Sequence, residues 1–233
     1  MSNSKKNELF NTDIKEQRVT KNNGKRFEVD FKASFEEHVW TYRPTDSGGG
    51  QNARFTIESI CDLMAFDTKT KVFSLMELKS TLSTSVSFKS FEFCSNYEKE
   101  KEDLEMWIAS LSPDVKKKLK EEIKEKKREL KLLYKETNGA MIKYHQILDL
   151  KNNYEKFNIP SYIVFKFFKT TKTYALPINF FLEFWKETPK KSINEKDLEE
   201  LVSNKKAIAI PHSYIRKTQS SSYDTSALTK GCS

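Results

Sequence analysis

Cysteine is scarce in this sequence, and long hydrophobic runs are absent. The 233 residues include three cysteines, Cys61, Cys94 and Cys232, which form no close pair. An odd number of widely spaced cysteines argues against a disulfide framework and against a zinc site. No segment approaches the roughly 18 consecutive apolar residues of a spanning helix, and residues 1–17 lack the apolar core of a signal peptide. We therefore expect reduced thiols, no membrane partner and a cytoplasmic location.

Glycine and histidine are also scarce. Three of the six glycines stand together at positions 48–50, and this predicts a flexible loop over residues 46–52. The triplet lacks the Lys-Ser/Thr that completes a phosphate-binding P-loop. The three histidines, His38, His145 and His212, are far apart and have no Cys or Asp at ligand spacing. Zinc chemistry and a histidine nucleophile are therefore disfavoured.

The composition is that of a folded, basic protein. Apolar residues make up 37% of the chain against 32% charged, with 17 Phe and 9 Tyr, which is too aromatic for a disordered chain. The length fits one domain with an insertion or two small domains. Lys and Arg outnumber Asp and Glu by 41 to 33, a net charge of +8. This excess favours a polyanionic partner such as nucleic acid, although many basic proteins bind no polyanion.

The hydrophobic pattern predicts helices and strands in mixed order. Phe27, Phe31, Phe35 and Val39 recur at four-residue steps, which predicts a helix that ends before Pro44. Two β-rich runs joined by a short polar turn predict a hairpin over residues 58–67 and 71–80. Further on, the pattern predicts strands over residues 161–168 and 172–176, helices over 142–157 and 178–187, and a last helix that opens with a capping box at Ser192 and Glu195.

A charged segment separates these two halves. Residues 114–136 hold ten basic and six acidic side chains with a thin apolar stripe, which is typical of an exposed amphipathic helix. Pro113 behind Ser112 fits a helix start, so residues 97–110 and 113–136 are predicted to be the two arms of a helical hairpin. We expect a leader over residues 1–22, one domain over 23–215 that carries this hairpin as an insertion at 93–138, and a disordered tail over 216–233.

The stretch most suggestive of chemistry is Asp62 followed by Glu77-Leu78-Lys79. Residues i and i+2 of a strand point to the same face, so Glu77 and Lys79 are predicted to lie together. With Asp62 on the neighbouring strand, two carboxylates can hold Mg²⁺, a hard cation that prefers oxygen ligands. Such a site can hydrolyse a phosphodiester, with the lysine stabilising the transition state. For this spacing alone, an ordinary ion pair at a sheet edge is the simpler explanation.

The wider sequence resembles the RecU-type Holliday junction resolvases of the PD-(D/E)xK nuclease superfamily. The resemblance runs in order over residues 22–92 and 139–211. It rests on these segments: Asn22-Asn23-Gly24-Lys25-Arg26-Phe27-Glu28, Glu77-Leu78-Lys79-Ser80-Thr81, Ser87-Phe88, His145-Gln146, Tyr174-Ala175-Leu176 with Phe180, Phe181, Phe184 and Trp185, and Lys190-Lys191-Ser192-Ile193 before Asp197-Leu198-Glu199-Glu200.

This resemblance implies an α/β restriction-endonuclease-like fold with a central mixed β-sheet flanked by helices. It implies Mg²⁺ binding by Asp62, Glu77 and Gln146, with Mn²⁺ as a possible substitute, and catalytic roles for Lys79 and, beside the metal, Glu28. The implied activity is resolution of four-way DNA junctions by paired symmetric nicks, performed by a homodimer. The basic residues that we expect to contact branched DNA are Lys25, Arg26, Arg43, Arg54, Lys116, Lys117 and Lys118.

The sequence departs from the family pattern at three places. Ile60 stands where the family carries a metal-site Thr, so a ligand is lost, or replaced by Ser59 or water. The family's stalk is shortened to the glycine-rich loop, and the charged hairpin has no counterpart; it either takes over the stalk's role or is a solvated, ion-paired helix. A general DNA endonuclease of the same fold, and an inactive DNA-binding recombination accessory protein, therefore remain open alternatives.

Overall fold

A computed structural model describes residues 23–44, 59–215 and 218–229 of the chain. Seven helices and ten strands lie in these ranges. The helices are α1 (Asn23–Ala33), α2 (Phe91–Ser110), α3 (Pro113–Lys118), α4 (Lys120–Thr137), α5 (Tyr144–Phe157), α6 (Ile178–Glu187) and α7 (Glu195–Ser203). The strands are β1 (Val39–Tyr42), β2 (Leu63–Asp67), β3 (Phe73–Thr81), β4 (Ser85–Ser87), β5 (Ser161–Phe167), β6 (Thr173–Pro177), β7 (Ser192–Asn194), β8 (Ile208–Ala209), β9 (His212–Ile215) and β10 (Ser220–Tyr223).

A six-stranded mixed sheet forms the centre of the fold, in the order β1-β2-β3-β5-β6-β8. The pairs β1–β2, β2–β3, β5–β6 and β6–β8 are antiparallel. The central pair, β3 with β5, is parallel, because the chain leaves the sheet through the long helical segment before it returns. The α/β class with a central mixed sheet flanked by helices, expected from the sequence, is thus what the chain adopts.

Each face of the sheet carries its own hydrophobic core. On one face, Phe27 and Phe31 of α1 pack against Leu63, Met76 and Leu78. On the other face, helices α5 and α6 cover Leu75 and the strands β5 and β6 in a larger core. β3 therefore presents alternate residues to the two cores, as a central strand must. In the described ranges no helix combines the length and the apolar character needed to cross a membrane.

The first helix is shorter than its four-residue pattern predicts. It ends at Ala33, where the Ser34 hydroxyl donates to the Asp30 carbonyl at 2.6 Å and competes with continuation of the helix. The prediction that one helix carries Phe35 and Val39 is therefore wrong. Val39 begins β1 and pairs with Asp67 of β2, because the run Val39–Tyr42 is β-branched or aromatic throughout.

The predicted hairpin of residues 58–67 and 71–80 is confirmed as β2 and β3, which pair Leu63 with Met76 and Phe66 with Phe73. The charged helical hairpin is also present, with Pro113 at the first turn of α3 and Ser112 as its N-cap. Its first arm begins earlier than predicted, at Phe91. α2 and α4 contact each other through Tyr97 and Tyr134, whose ring centroids are 5.8 Å apart.

The capping box of the last helix, α7, lies two residues after its predicted position. Asn194 is the N-cap of α7 and exchanges hydrogen bonds with Asp197, each at 3.0 Å. Ser192 instead belongs to β7, which pairs with β4. The pairing of residues 192–194 with β4 keeps Ser192 in a strand, so the helix begins only after Asn194.

The prediction of a disordered tail over residues 216–233 is wrong for residues 218–229. β10 pairs with β9, and a short 3₁₀ turn follows at Ser226–Leu228. Tyr223 is 4% exposed and packs on Phe27, Phe31 and His212. The Ser/Thr-rich composition gave no sign that two apolar residues of this segment, Tyr223 and Leu228, are buried in the core beneath α1.

We expect Tyr223→Ala to lower the free energy of unfolding by about 3–5 kcal/mol, because it removes a buried ring and leaves a cavity. The matched control is Tyr214→Ala on the partner strand, since Tyr214 is 46% exposed and exposed sites change stability by roughly 0.5 kcal/mol or less. Urea denaturation followed by far-UV circular dichroism measures both. Equal midpoints for the two variants would contradict the anchoring role of the C-terminal hairpin.

Candidate active site

The hairpin brings Asp62 and Glu77 together. Leu63 of β2 is opposite Met76 of β3, so Asp62, one residue before β2, stands at the level of Glu77. One Asp62 oxygen, Oδ2, accepts a hydrogen bond from the Leu78 backbone N–H at 2.8 Å. The two carboxyl groups are close enough for the negative charge of Asp62 to raise the pKa of Glu77. Two acidic groups, predicted from the sequence to meet, therefore do so.

Glu77 is held by two donors on one of its oxygens only. Its Oε1 accepts from Lys79 Nζ and from Gln146 Nε2, each at 2.5 Å. Its Oε2 has no hydrogen-bond donor. The residue is only 1% exposed, so solvent does not replace the missing donor. A buried carboxylate oxygen with no donor is costly in a folded protein unless a ligand completes it.

Burial raises the pKa of Glu77 to about 8, and the negative charge of Asp62 adds to this rise, while the Lys79 ammonium opposes it. Burial disfavours the charged form of a carboxyl, and a second carboxylate beside it disfavours that form further. One lysine is therefore not enough to compensate this pair of acids. A site of this kind favours a bound cation.

Gln146 reaches the site from α5. It occupies the first turn of that helix, and its Oε1 accepts from the Lys143 backbone N–H at 3.1 Å. Its amide nitrogen donates to Glu77, so the side chain is fixed at both ends. In this arrangement Gln146 orients Glu77. The side-chain oxygen of Gln146, the atom that would coordinate a cation, already accepts the hydrogen bond from the Lys143 backbone N–H.

Glu28 lies at the edge of the site, on α1. It forms an ion pair with Arg43, which follows β1. Partial burial raises the pKa of Glu28; Arg43 lowers it, and the nearby Asp62 raises it again. The structure thus places Glu28 within the electrostatic reach of Asp62 and Lys79, and it gives Arg43, expected to bind DNA, a carboxylate partner.

The other expected DNA-binding residues are spread over the surface. Lys25 and Arg26 are exposed on α1, and Arg26 pairs with Asp30 at 3.9 Å. The last turn of α3, at the turn of the helical hairpin, carries Lys116, Lys117 and Lys118. Arg54 lies outside the described residues, as does the glycine-rich loop.

The position that carries a Thr in the resembled family offers no oxygen here. Ile60 is 43% exposed, and the neighbouring Ser59 hydroxyl donates to the Cys61 carbonyl at 2.7 Å. Within residues 23–44, 59–215 and 218–229, no group of three or more His, Cys, Asp or Glu side chains is placed to hold a metal. Mg²⁺ in proteins is commonly held by one or two carboxylates, with water and substrate phosphate completing its shell. The oxygen pair of Asp62 and Glu77, with one buried oxygen lacking a donor, fits that mode.

The exposed aromatic pair Trp40 and Tyr42 on β1 lies beside this site and was not predicted from the sequence. The alternation Val39-Trp40-Thr41-Tyr42 signals a strand with one aromatic face. The signal was hidden because Val39 also continued the four-residue spacing of the preceding helix.

No protein-family model matches the chain, and no curated protein matches it. Among solved structures, the chain is similar to Hjc of Archaeoglobus fulgidus, a Holliday junction resolvase from an archaeal hyperthermophile, with 12% sequence identity, coverage of 69% of this chain and 78% of that chain, and a TM-score of 0.31. A likeness this distant leaves the question of function to the residues of the site.

Proposed function

We propose that the chain is a Mg²⁺-dependent endodeoxyribonuclease with a PD-(D/E)xK site that resolves four-way DNA junctions. The observation that carries this proposal is Glu77, which is fully buried, has one oxygen without a donor, and lies against both Asp62 and Lys79. A purely structural ion pair would satisfy both carboxylate oxygens or leave them in water.

Asp62 and Glu77 would hold the divalent cation. A cation bound there supplies Lewis-acid chemistry, since it lowers the pKa of a bound water and offsets charge on the attacked phosphate. Gln146 keeps Glu77 in one rotamer, and the Leu78 N–H does the same for Asp62. Side chains held in this way lose little conformational entropy when the cation binds.

Lys79 is the group of this chain best placed to act on the phosphate. Its side chain is 13% exposed and its ammonium lies 2.5 Å from Glu77 Oε1. A partly buried ammonium beside the scissile phosphate favours the extra negative charge of the transition state more strongly than an ammonium in water does. Glu28 with Arg43 lies at the rim, where Arg43 can exchange its carboxylate partner for a DNA phosphate.

The basic surface suits a branched polyanion. The chain carries a net charge of +8. The exposed Lys25, Arg26, Lys117 and Lys118 and the partly exposed Lys116 would bind phosphates, so affinity should fall steeply with salt. A four-way junction presents two equivalent strands, and a homodimer places one site on each. A cytoplasmic location fits Cys61 and Cys94, which are buried as free thiols.

Strand cleavage of an end-labelled synthetic four-way junction, beside duplex and single-stranded DNA, tests this proposal. We expect paired symmetric nicks on the junction with Mg²⁺, no cutting in EDTA, and a dimer by sedimentation equilibrium. Equal cutting of all three DNAs would overturn junction resolution and leave a general endonuclease. Tight junction binding without cleavage would indicate an accessory protein, with Ile60 as the reason for its inactivity.

A further inference from the structure

The edge strand β1 carries two exposed, parallel aromatic rings. Trp40 is 55% exposed and Tyr42 is 47% exposed. Their ring centroids are 5.8 Å apart and their planes differ by 2°. Exposed aromatic side chains are expensive to keep in water, and a parallel, stacked pair can extend its stack by one more planar group on an outer ring face. We call Trp40 and Tyr42 the aromatic platform.

The aromatic platform lies on the same face of the sheet as the candidate active site. Tyr42 is opposite Met64 of β2, and directly opposed residues share a face. Met64 in turn is opposite Leu75 of β3, which shares its face with Glu77. One strand therefore lies between the platform and the catalytic strand.

The distance between the two features follows from sheet geometry. Tyr42 stands one strand across from Asp62 and two residues along, so their Cα atoms are about 8 Å apart, from a strand spacing of about 4.8 Å and a rise of about 3.4 Å per residue. A DNA strand can span that distance with one to three nucleotides, since each advances about 3.4 Å along a duplex axis and further when the strand is extended. Arg43, next in the chain, ion-pairs with Glu28 at the rim of the site and so links the two features.

We propose that the aromatic platform stacks an unpaired nucleobase of the DNA strand whose phosphate lies at the active site. The proposal rests on the proposed nuclease function and deepens it. A base inside a duplex has both faces covered, whereas a base at a branch point or a frayed end offers one to an aromatic ring. Stacking tolerates any base, so the platform selects DNA with unpaired bases rather than a sequence.

Charge favours DNA over a second protein as the occupant. Arg43 follows the platform directly and is 42% exposed at its side chain, and the chain is basic overall. Base and phosphate can therefore be bound together, the base by the rings and the phosphate by the guanidinium. β1 is only four residues long, which is short for strand addition by another copy.

Binding of labelled oligo(dT) in EDTA, followed by fluorescence anisotropy, tests the platform without any cleavage. We expect the double change Trp40→Ala with Tyr42→Ala to weaken binding about tenfold. Trp40→Phe with Tyr42→Phe should retain most of the affinity, because the rings remain. Trp107→Ala is the control, since Trp107 is a partly exposed aromatic residue on the helical hairpin, beneath Lys126. Unchanged affinity in the double alanine variant, with an unchanged melting midpoint, would overturn the proposal.

Tryptophan fluorescence gives a second readout. The chain has three tryptophans, and Trp185 is 3% exposed and so shielded from added DNA, so quenching of a Trp107→Phe protein by DNA reports mainly on Trp40. Oligo(dT) should quench this signal to saturation, and fully paired duplex should quench it less. If the double alanine variant instead turns a dimer into a monomer by sedimentation equilibrium, a second copy is the occupant and the proposal is wrong.

These outcomes separate the platform from the nuclease function. Quenching and anisotropy are measured without metal, so they are independent of cleavage. A protein that cuts no DNA but shows both signals keeps the platform and loses the nuclease assignment. A protein that cuts junctions but shows neither signal keeps the nuclease assignment and loses the platform.

Discussion

Glu77→Gln is expected to lower the rate constant of junction cleavage by about 10³-fold or more. The change keeps the shape of the side chain and removes the charge that would hold the cation, and a bound cation contributes several kcal/mol to stabilisation of the transition state. Single-turnover cleavage in Mg²⁺ measures the effect. Glu102→Gln is the matched control, because Glu102 is exposed on α2. Activity within tenfold of wild type would show that Glu77 does not hold the metal.

The same variant should be more stable than wild type when metal is absent. The Glu77 pKa of about 8 in the folded protein lies above its ordinary value of 4.5. The unfolded chain therefore loses its proton first, and wild-type stability falls relative to Glu77→Gln as the pH rises between these two values. Thermal unfolding in EDTA at several pH values measures the difference. A variant that is less stable throughout this range would contradict the cost that we assign to the buried carboxylate.

Added Mg²⁺ should reverse this order. A ligand that binds only the folded state raises the melting temperature by mass action. We expect Mg²⁺ to stabilise wild type and Glu102→Gln, and to leave Glu77→Gln unchanged. Opposite effects on activity and on metal-free stability are typical of a group kept for function rather than for the fold.

Local patterns predicted the part of the site that lies within one hairpin. Alternation along a strand placed Glu77 and Lys79 on one face, and the short turn set Asp62 beside them. These relations depend on residues fewer than twenty positions apart. Strand periodicity and hairpin geometry decide them without knowledge of the rest of the chain.

The remaining contacts depend on tertiary structure. Gln146 reaches Glu77 across 69 residues, because α5 packs on β5, which pairs in parallel with β3. Resemblance alone suggested that Gln146 belongs to the site, and only the fold gives its partners. The Glu28–Arg43 pair depends likewise on the end of α1 at Ala33. A helix continued to Arg43, as the four-residue pattern predicts, would have placed Arg43 on the helix that carries Glu28, with no β1 between them.

The C-terminal segment shows how composition misleads. Ser and Thr dominate residues 218–229, yet Asp30 of α1 and Ser34, which follows α1, accept hydrogen bonds from the backbone N–H groups of Ser221 and Tyr223. Two apolar residues and a set of complementary hydrogen bonds order this segment. Periodicity over so few residues carries almost no signal, so the sequence alone could not predict this arrangement.

Lys79→Ala is expected to lower the cleavage rate constant by about 10²–10³-fold, the usual effect of removing one group that stabilises transition-state charge. The Michaelis constant for DNA should change much less, because a group that acts mainly in the transition state contributes little to ground-state binding. Lys79→Arg should restore part of the rate, since it returns the positive charge at a different geometry. Lys69→Ala is the control, as Lys69 is exposed in the turn of the same hairpin.

Metal binding separates two explanations for a Lys79 defect. In the Lys79→Ala variant, Glu77 Oε1 keeps only the Gln146 donor. No ammonium then offsets the repulsion between the Asp62 and Glu77 carboxylates, and a bound cation has more repulsion to offset. Lys79→Ala should therefore still be stabilised by Mg²⁺ against thermal unfolding, although it cuts slowly. Loss of both cleavage and Mg²⁺ stabilisation would mean that Lys79 holds Glu77 in place and does not act on the phosphate. Partial rescue by Lys79→Arg together with retained Mg²⁺ stabilisation would assign the ammonium to the reacting phosphate.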